Sequence, residues 1–192
     1  GEAIESAVFS DGSTIDLLNN LTFTGTSSYQ AVYGLDNQND VLIGLGSRDL
    51  LRGGTGNDTY IYNLGDGDDE IQDIGGTDVL SFGAGITAED VRLWNPDNGD
   101  LDLYVDGTKI TINDHFDNSD EEVESAVFSD SSTLDLLNDL TFTGTSSNET
   151  INGLDNTDDI IIGLGSRDFL RGGTGNDTYI YNLGDGDDEI QD

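Results

Sequence analysis

The stretch "GGTGNDTYIYNLGDGDDEIQD" occupies residues 53–73 and recurs, letter for letter, at residues 172–192. Its first nine residues, "GGTGNDTYI", fall into two halves. Gly53 to Asp58 are turn formers, because glycine enters positive φ freely and Asn and Asp tolerate it. Thr59, Tyr60 and Ile61 favour extended chain. A strand this short directs one central side chain inward, here Tyr60. The unit is therefore a turn plus a short strand, and two units close one coil of a flat parallel roll.

The nine-residue period runs outward from this stretch. Asp40, Asp49 and Asp58 are nine apart, and each is followed two residues later by a large side chain: Leu42, Leu51 and Tyr60. After a two-residue insertion, Asp69 and Asp78 continue the series with Ile71 and Leu80. The second series is Glu149, Asp159, Asp168, Asp177 and Asp188, followed by Ile151, Ile161, Leu170, Tyr179 and Ile190. The large residues are expected to stack into a thin core.

A longer period encloses the short one. Residues 4–73 align without a gap to residues 123–192, and 14 of the 70 positions differ. Only residues 74–122 occur once, so the chain reads as a fragment of a longer tandem array. The expected organisation is the end of a preceding spacer unit at 1–20, a first β-roll at 21–83, a small α+β spacer domain at 84–138 and a second, truncated β-roll at 139–192. In the spacer, "ITAEDVRLW" has an N-cap Thr87 and acids Glu89 and Asp90 in its first turn, which predicts a short helix. "DLDLYVDGTKITI" predicts a hairpin about Asp106-Gly107, and "VESAVF" with "STLDL" a second. Trp94, Phe116 and Phe128 are its expected core.

Asp and Glu number 40 against 6 Lys and Arg, a formal net charge of −34. That balance excludes nucleic acid and acidic lipid as direct partners. No apolar run is long enough to span a membrane. There is no Cys, so neither disulfides nor thiolate metal sites arise. The single His115 cannot build a zinc site and is expected at the surface or in packing. No nucleophile elbow or phosphate-binding loop is present, and "NPDNGDLD" (95–102) lacks the spacing and closing Glu of an EF-hand. No enzyme activity is expected.

Successive turns of a roll alternate between its two edges. Same-edge acids then pair Asp40 with Asp58, Asp49 with Asp69, Asp58 with Asp78, Glu149 with Asp168, Asp159 with Asp177 and Asp168 with Asp188. Coils about 4.8 Å apart would set these like charges against each other. A hard cation between the turns reverses that repulsion. The donors on offer are carboxylates and loop carbonyls, the latter contributed around Gly53, Thr55, Gly65, Gly67, Gly76, Gly172, Thr174, Gly184 and Gly186. An all-oxygen, flexible donor set favours Ca²⁺ over Mg²⁺ or Zn²⁺, with roughly four to eight ions expected. The turn Gly44–Arg52 departs from the pattern with Leu45 and Ser47 in glycine places. Gln30 stands where the second copy has Glu149.

"GGTGNDTYI" fits the nonapeptide Gly-Gly-x-Gly-x-Asp-x-large-x of RTX proteins. Residues 53–82 resemble the haemolysin-type calcium-binding repeat, and residues 84–138 resemble the haemolysin-type calcium-binding related domain. The resemblance implies a parallel β-roll, calcium between the turns and export from bacteria by type I secretion. The fold class expected is mainly β, two calcium-bound parallel β-rolls joined by a small α+β spacer. The function expected is a calcium-binding structural module of a large secreted or cell-surface bacterial protein, with calcium and neighbouring repeats as partners. Two alternatives are an adhesin module for an extracellular ligand such as a carbohydrate, using Tyr29 and Tyr33, and a secretion carrier for an enzyme or toxin encoded elsewhere in the chain.

Overall fold

The computed structural model describes residues 6–17, 20–117 and 121–192. Parts of the expected 1–20 and 84–138 units therefore lie outside the described residues. The chain is mainly β. A hairpin of β1 (Ser6–Val8) and β2 (Thr14–Asp16) forms a sheet of its own. Seven strands follow: β3 (Thr22–Thr24), β4 (Ala31–Tyr33), β5 (Val41–Ile43), β6 (Leu50–Arg52), β7 (Thr59–Tyr62), β8 (Asp69–Gln72) and β9 (Val79–Phe82). Odd strands β3, β5, β7 and β9 stack in parallel in one sheet, and even strands β4, β6 and β8 in another. Each coil therefore spends two repeats, as Leu42 opposite Tyr60 and Leu51 opposite Ile71 show. This is a parallel β-roll.

Its core is one residue wide. Leu42, Leu51, Tyr60, Ile71 and Leu80 are all buried, between strand neighbours that are half-buried or, at Arg52, exposed. Fully burying such a side chain stabilises by about 1.5–3 kcal/mol, so short strands gain their stability by stacking.

The inserted segment holds β10 (Val91–Trp94), β11 (Leu101–Val105), β12 (Thr108–Ile112), β13 (Ser125–Val127) and β14 (Thr133–Asp135). Both expected hairpins form, and Asp106 (φ 48°) with Gly107 (φ 82°) makes the tight turn of the first. The expected helix does not form. Thr87 and Asp90 make a reciprocal capping box, but only a 3₁₀ turn, Ala88–Asp90, follows, and "VRLW" is strand β10. Val91 and Leu93 alternate toward the core, and pairing β10 with β11 satisfies more backbone than one further helical turn could.

The insert also extends the roll. β13 pairs in parallel with β9, and β12 with β8. On the far side β10 pairs in parallel with β15 (Thr141–Thr143). The side chains follow: Phe82 stacks on Phe128 at 5.1 Å, and Leu93, Leu103, Ile110 and Ile112 join one continuous apolar core with the roll residues. Phe128 is buried, whereas Trp94 and Phe116 pack partly buried against this core. His115 is fully buried, with Nε2 donating to the Leu136 carbonyl at 2.9 Å and Nδ1 accepting from the Val123 amide at 3.3 Å. Burial holds its pKa below the ordinary value.

The remaining strands are β16 (Thr150–Asn152), β17 (Ile160–Ile162), β18 (Phe169–Arg171), β19 (Thr178–Ile180) and β20 (Glu189–Gln191). They repeat the parallel pattern, β15-β17-β19 in one sheet and β16-β18-β20 in the other. Ile151, Ile161 and Leu170 are buried, Tyr179 partly so, and Ile190 is exposed.

Candidate metal centre

The glycines explain how the turns stack. A Cβ on Gly53 would lie 2.2 Å from Asp58 Oδ2, and one on Gly56 would lie 1.7 Å from the Gln38 carbonyl of the coil before. Gly76 meets the Gly56 carbonyl in the same way, at 1.6 Å. Only glycine lets the backbones approach this closely, and Gly56 also sits at φ 134°. In the turn Gly44–Arg52, Leu45 (φ 66°) and Ser47 (φ 105°) adopt the same positive φ without being glycine. The degenerate turn keeps the conformation at the expense of strain.

The ladder acids link the coils. Asp58 Oδ1 accepts from the Asp40 amide at 2.7 Å, Asp69 Oδ1 from the Asp49 amide at 2.9 Å and Asp78 Oδ1 from the Asp58 amide at 2.6 Å. In the second block, Asp168, Asp177 and Asp188 accept from the amides of Glu149, Asp159 and Asp168. One carboxylate oxygen per acid thus splices neighbouring turns. Asp40, Asp49, Asp58, Asp69, Asp78, Asp159 and Asp168 are all buried, while Glu149, Asp177 and Asp188 are half-buried.

The other oxygen is left over. Oδ2 of Asp49, Asp58, Asp78, Asp168 and Asp177 is buried without any hydrogen-bond partner. Buried polar atoms are rarely left in this state, and buried charges rarely lack a counterion. None of the chain's six cationic side chains supplies it. Arg48 pairs with Glu70, Arg167 with Glu189 and Lys109 with Asp102; Arg52 and Arg171 donate to Gln72 and Gln191; Arg92 lies over the Tyr104 ring. Burial therefore raises the Asp58 pKa to about 6 and the Asp69 pKa to about 7, and it pushes Asp78, Asp49, Asp159 and Asp168 up as well. A divalent cation fits this set, which is all oxygen, anionic and left without a partner at its inner oxygens.

The other expected donors divide. Gly53 and Gly172 are buried at the inner side of the turns against Asp58 and Asp177. Gly67, Gly76 and Gly186 each abut a carbonyl of the preceding coil, whereas Gly65 and Gly184 are exposed and meet nothing. The Thr55 hydroxyl and carbonyl accept from Asn37 and Gln38, and those of Thr174 from Asn156, so these threonines tie turn to turn.

Asp73 is a buried acid that the periodic reading passed over. One oxygen each from Asp58, Asp73 and Asp78 lies within 4.8 Å of the others. Two like charges at that separation repel by about 3 kcal/mol at an effective dielectric near 20. Asp73 stands five residues before Asp78, as Gly53 does before Asp58, so its spacing was the available signal.

A parallel β-roll with buried, unpartnered carboxylates along its edges offers the all-oxygen, anionic donor set that a hard cation requires. Residues 36–66, 143–179 and 154–190 match the family model of the RTX calcium-binding nonapeptide repeat, and the chain carries these calcium-binding repeats in both blocks. No curated protein matches the chain.

Proposed function

We propose that the chain is a calcium-folded structural module of a large bacterial protein that works outside the cell. The observation that carries this reading is the row of buried Oδ2 atoms with no partner. Calcium would be held between Asp40 and Asp58, Asp58 and Asp78, Asp49 and Asp69, and the corresponding acids of the second block, completed by carbonyls of the glycine turns. When bound, the ion supplies the positive charge that the protein lacks. The protein's own part is to present paired carboxylates at fixed spacing. The two roll blocks, 21–83 and 139–192, flank an inserted unit, 84–138, that passes the stack from one block to the next. Scarce calcium inside the cell keeps the chain unfolded and exportable; plentiful calcium outside stiffens it. Among the described residues no helix is long and apolar enough to cross a membrane.

Circular dichroism in excess chelator and then in millimolar calcium tests the proposal. The full β-spectrum is expected only with calcium, and magnesium at equal concentration should restore less of it, because it sheds water reluctantly. A full β-spectrum in chelator would overturn the reading.

A further inference from the structure

The turns on the Asp58 edge are not equivalent. In the Gly53–Asp58 turn, the Tyr60 hydroxyl fills the interior, 2.5 Å from where a Cβ on Gly53 would stand. The residue matching Tyr60 in the next coil is Leu80, which carries no hydroxyl. There the position of Gly53 is taken by Asp73, buried at 2% exposure. Tyr60 accepts from the Gly53 amide at 2.9 Å and donates to Asp73 Oδ1 at 2.5 Å, and Asp73 Oδ2 accepts from the Gly75 amide at 2.8 Å. The Asp73 carboxylate is thereby held facing Asp58 and Asp78. These two are 1% and 0% exposed, and each leaves Oδ2 unpartnered.

We propose that Asp58, Asp73 and Asp78 form a three-carboxylate calcium site in which Asp73 is a ligand that the nonapeptide motif does not supply, and that this site fills first. Among the described residues this is the one trio of acids gathered so closely. It lies partly beyond the matched repeat residues, which end at 66 in this block. The proposal rests on the reading that the repeats bind calcium. Elsewhere the ladder offers at most two carboxylates per site, and added ligand charge tightens calcium binding. Tyr60 is a positioning residue, since its hydroxyl orients Asp73 before the ion arrives. The second block repeats part of the arrangement: Gly172 donates to the Tyr179 hydroxyl at 2.8 Å, which reaches Asp192 at 3.2 Å.

Calorimetric calcium titration of the full chain and of Asp73→Asn decides the matter. The tightest binding class should weaken by roughly tenfold or more in the variant, while saturating calcium still restores the β-spectrum. An unchanged tightest class overturns the proposal and leaves calcium-driven folding standing; no calcium binding by the unaltered chain overturns the functional reading itself. Terbium provides a second measurement that does not depend on how Asp73→Asn folds. The first equivalent bound by the unaltered chain should luminesce through Tyr60, and Tyr60→Phe should remove that emission while Tyr179→Phe spares it. First-equivalent emission that survives Tyr60→Phe places the tightest site elsewhere and overturns the proposal.

Discussion

Asp58 is hydrogen-bonded to two coils at once: its Oδ1 takes the Asp40 amide at 2.7 Å, and its amide gives to Asp78 Oδ1 at 2.6 Å. Asp177, its counterpart, takes the Asp159 amide at 3.0 Å and is only half-buried. Asp58→Ala orphans the buried Asp40 amide and strips one carboxylate from both neighbouring sites. Hydrogen bonds to charged groups contribute about 1.5–3 kcal/mol each. In calcium, Asp58→Ala should therefore lower stability by about 2 kcal/mol or more and release more calcium than Asp177→Ala. Denaturant unfolding and calorimetric titration of both variants check this, and equal losses would count against the cross-coil pairing.

The repeat was legible because each of its requirements leaves a letter. Leu42, Tyr60 and Leu80 had to be large to fill a core one residue wide, and Gly53 and Gly56 had to lack a Cβ. The same-edge acids followed from spacing alone. What the sequence hid depended on partners distant in the chain. "VRLW" carries a helix start signal, yet its fate is set by pairing with β11 and β15. Nothing local announces that Ile110 will lie beside Asp69, which makes the insert part of the roll. Asp73 was passed over because its role needs the Tyr60 hydroxyl to arrive from the coil before.

The raised carboxylate pKa values give the calcium-free chain an inverted pH dependence. Burial lifts Asp58 to about 6 and Asp69 to about 7 from an ordinary 3.8. Between these limits the folded state binds more protons than the unfolded state, so stability falls as pH rises. In chelator, where only part of the β-structure is expected, protonation of these acids should leave a larger residual β-signal at pH 5 than at pH 8. Calcium reverses the trend, because protons compete for the same oxygens, and its midpoint concentration for folding should drop from pH 5 to pH 8. A residual metal-free β-signal that grows between pH 5 and pH 8 would contradict the burial of unpaired acids.

Ser47 offers a gain of stability. It holds φ at 105°, and Ser166 in the second block holds 96°. A side chain in the left-handed region costs about 1–2 kcal/mol, part of which glycine returns to the unfolded chain as entropy. Ser47→Gly should raise stability in saturating calcium by about 0.5–1 kcal/mol, seen as a higher denaturant midpoint. An unchanged or lower midpoint would mean that the Ser47 side chain contributes contacts that outweigh its backbone strain.

The last prediction separates two turns with the same backbone and different charge. Asp49 Oδ1 accepts from the Gln30 amide and Asp168 Oδ1 from the Glu149 amide, both at 2.8 Å. Both side chains curl onto their own turns: Glu149 accepts from the Thr145 amide at 2.5 Å and its hydroxyl at 2.9 Å, while Gln30 Nε2 donates to the Thr26 hydroxyl at 3.2 Å. Glu149 Oε2 lies 2.9 Å from a Cβ built on Gly144, the distance at which Asp159 Oδ2 lies from one on Gly153. Glu149 thus puts an anionic oxygen where the ladder's inner oxygens stand. Against Gly25 the corresponding atom is Gln30 Nε2, a donor with no lone pair for a metal. The Glu149–Asp168 site should accordingly fill at lower calcium than the Gln30–Asp49 site. Gln30→Glu should tighten the weaker site by roughly tenfold, and Glu149→Gln should loosen the stronger one by a similar factor. Calcium titrations of the two exchanges, with crystals grown in limiting calcium to locate the ions, decide it. Equal occupancy at both positions would mean that backbone carbonyls, not the carboxylate of Glu149, set the affinity.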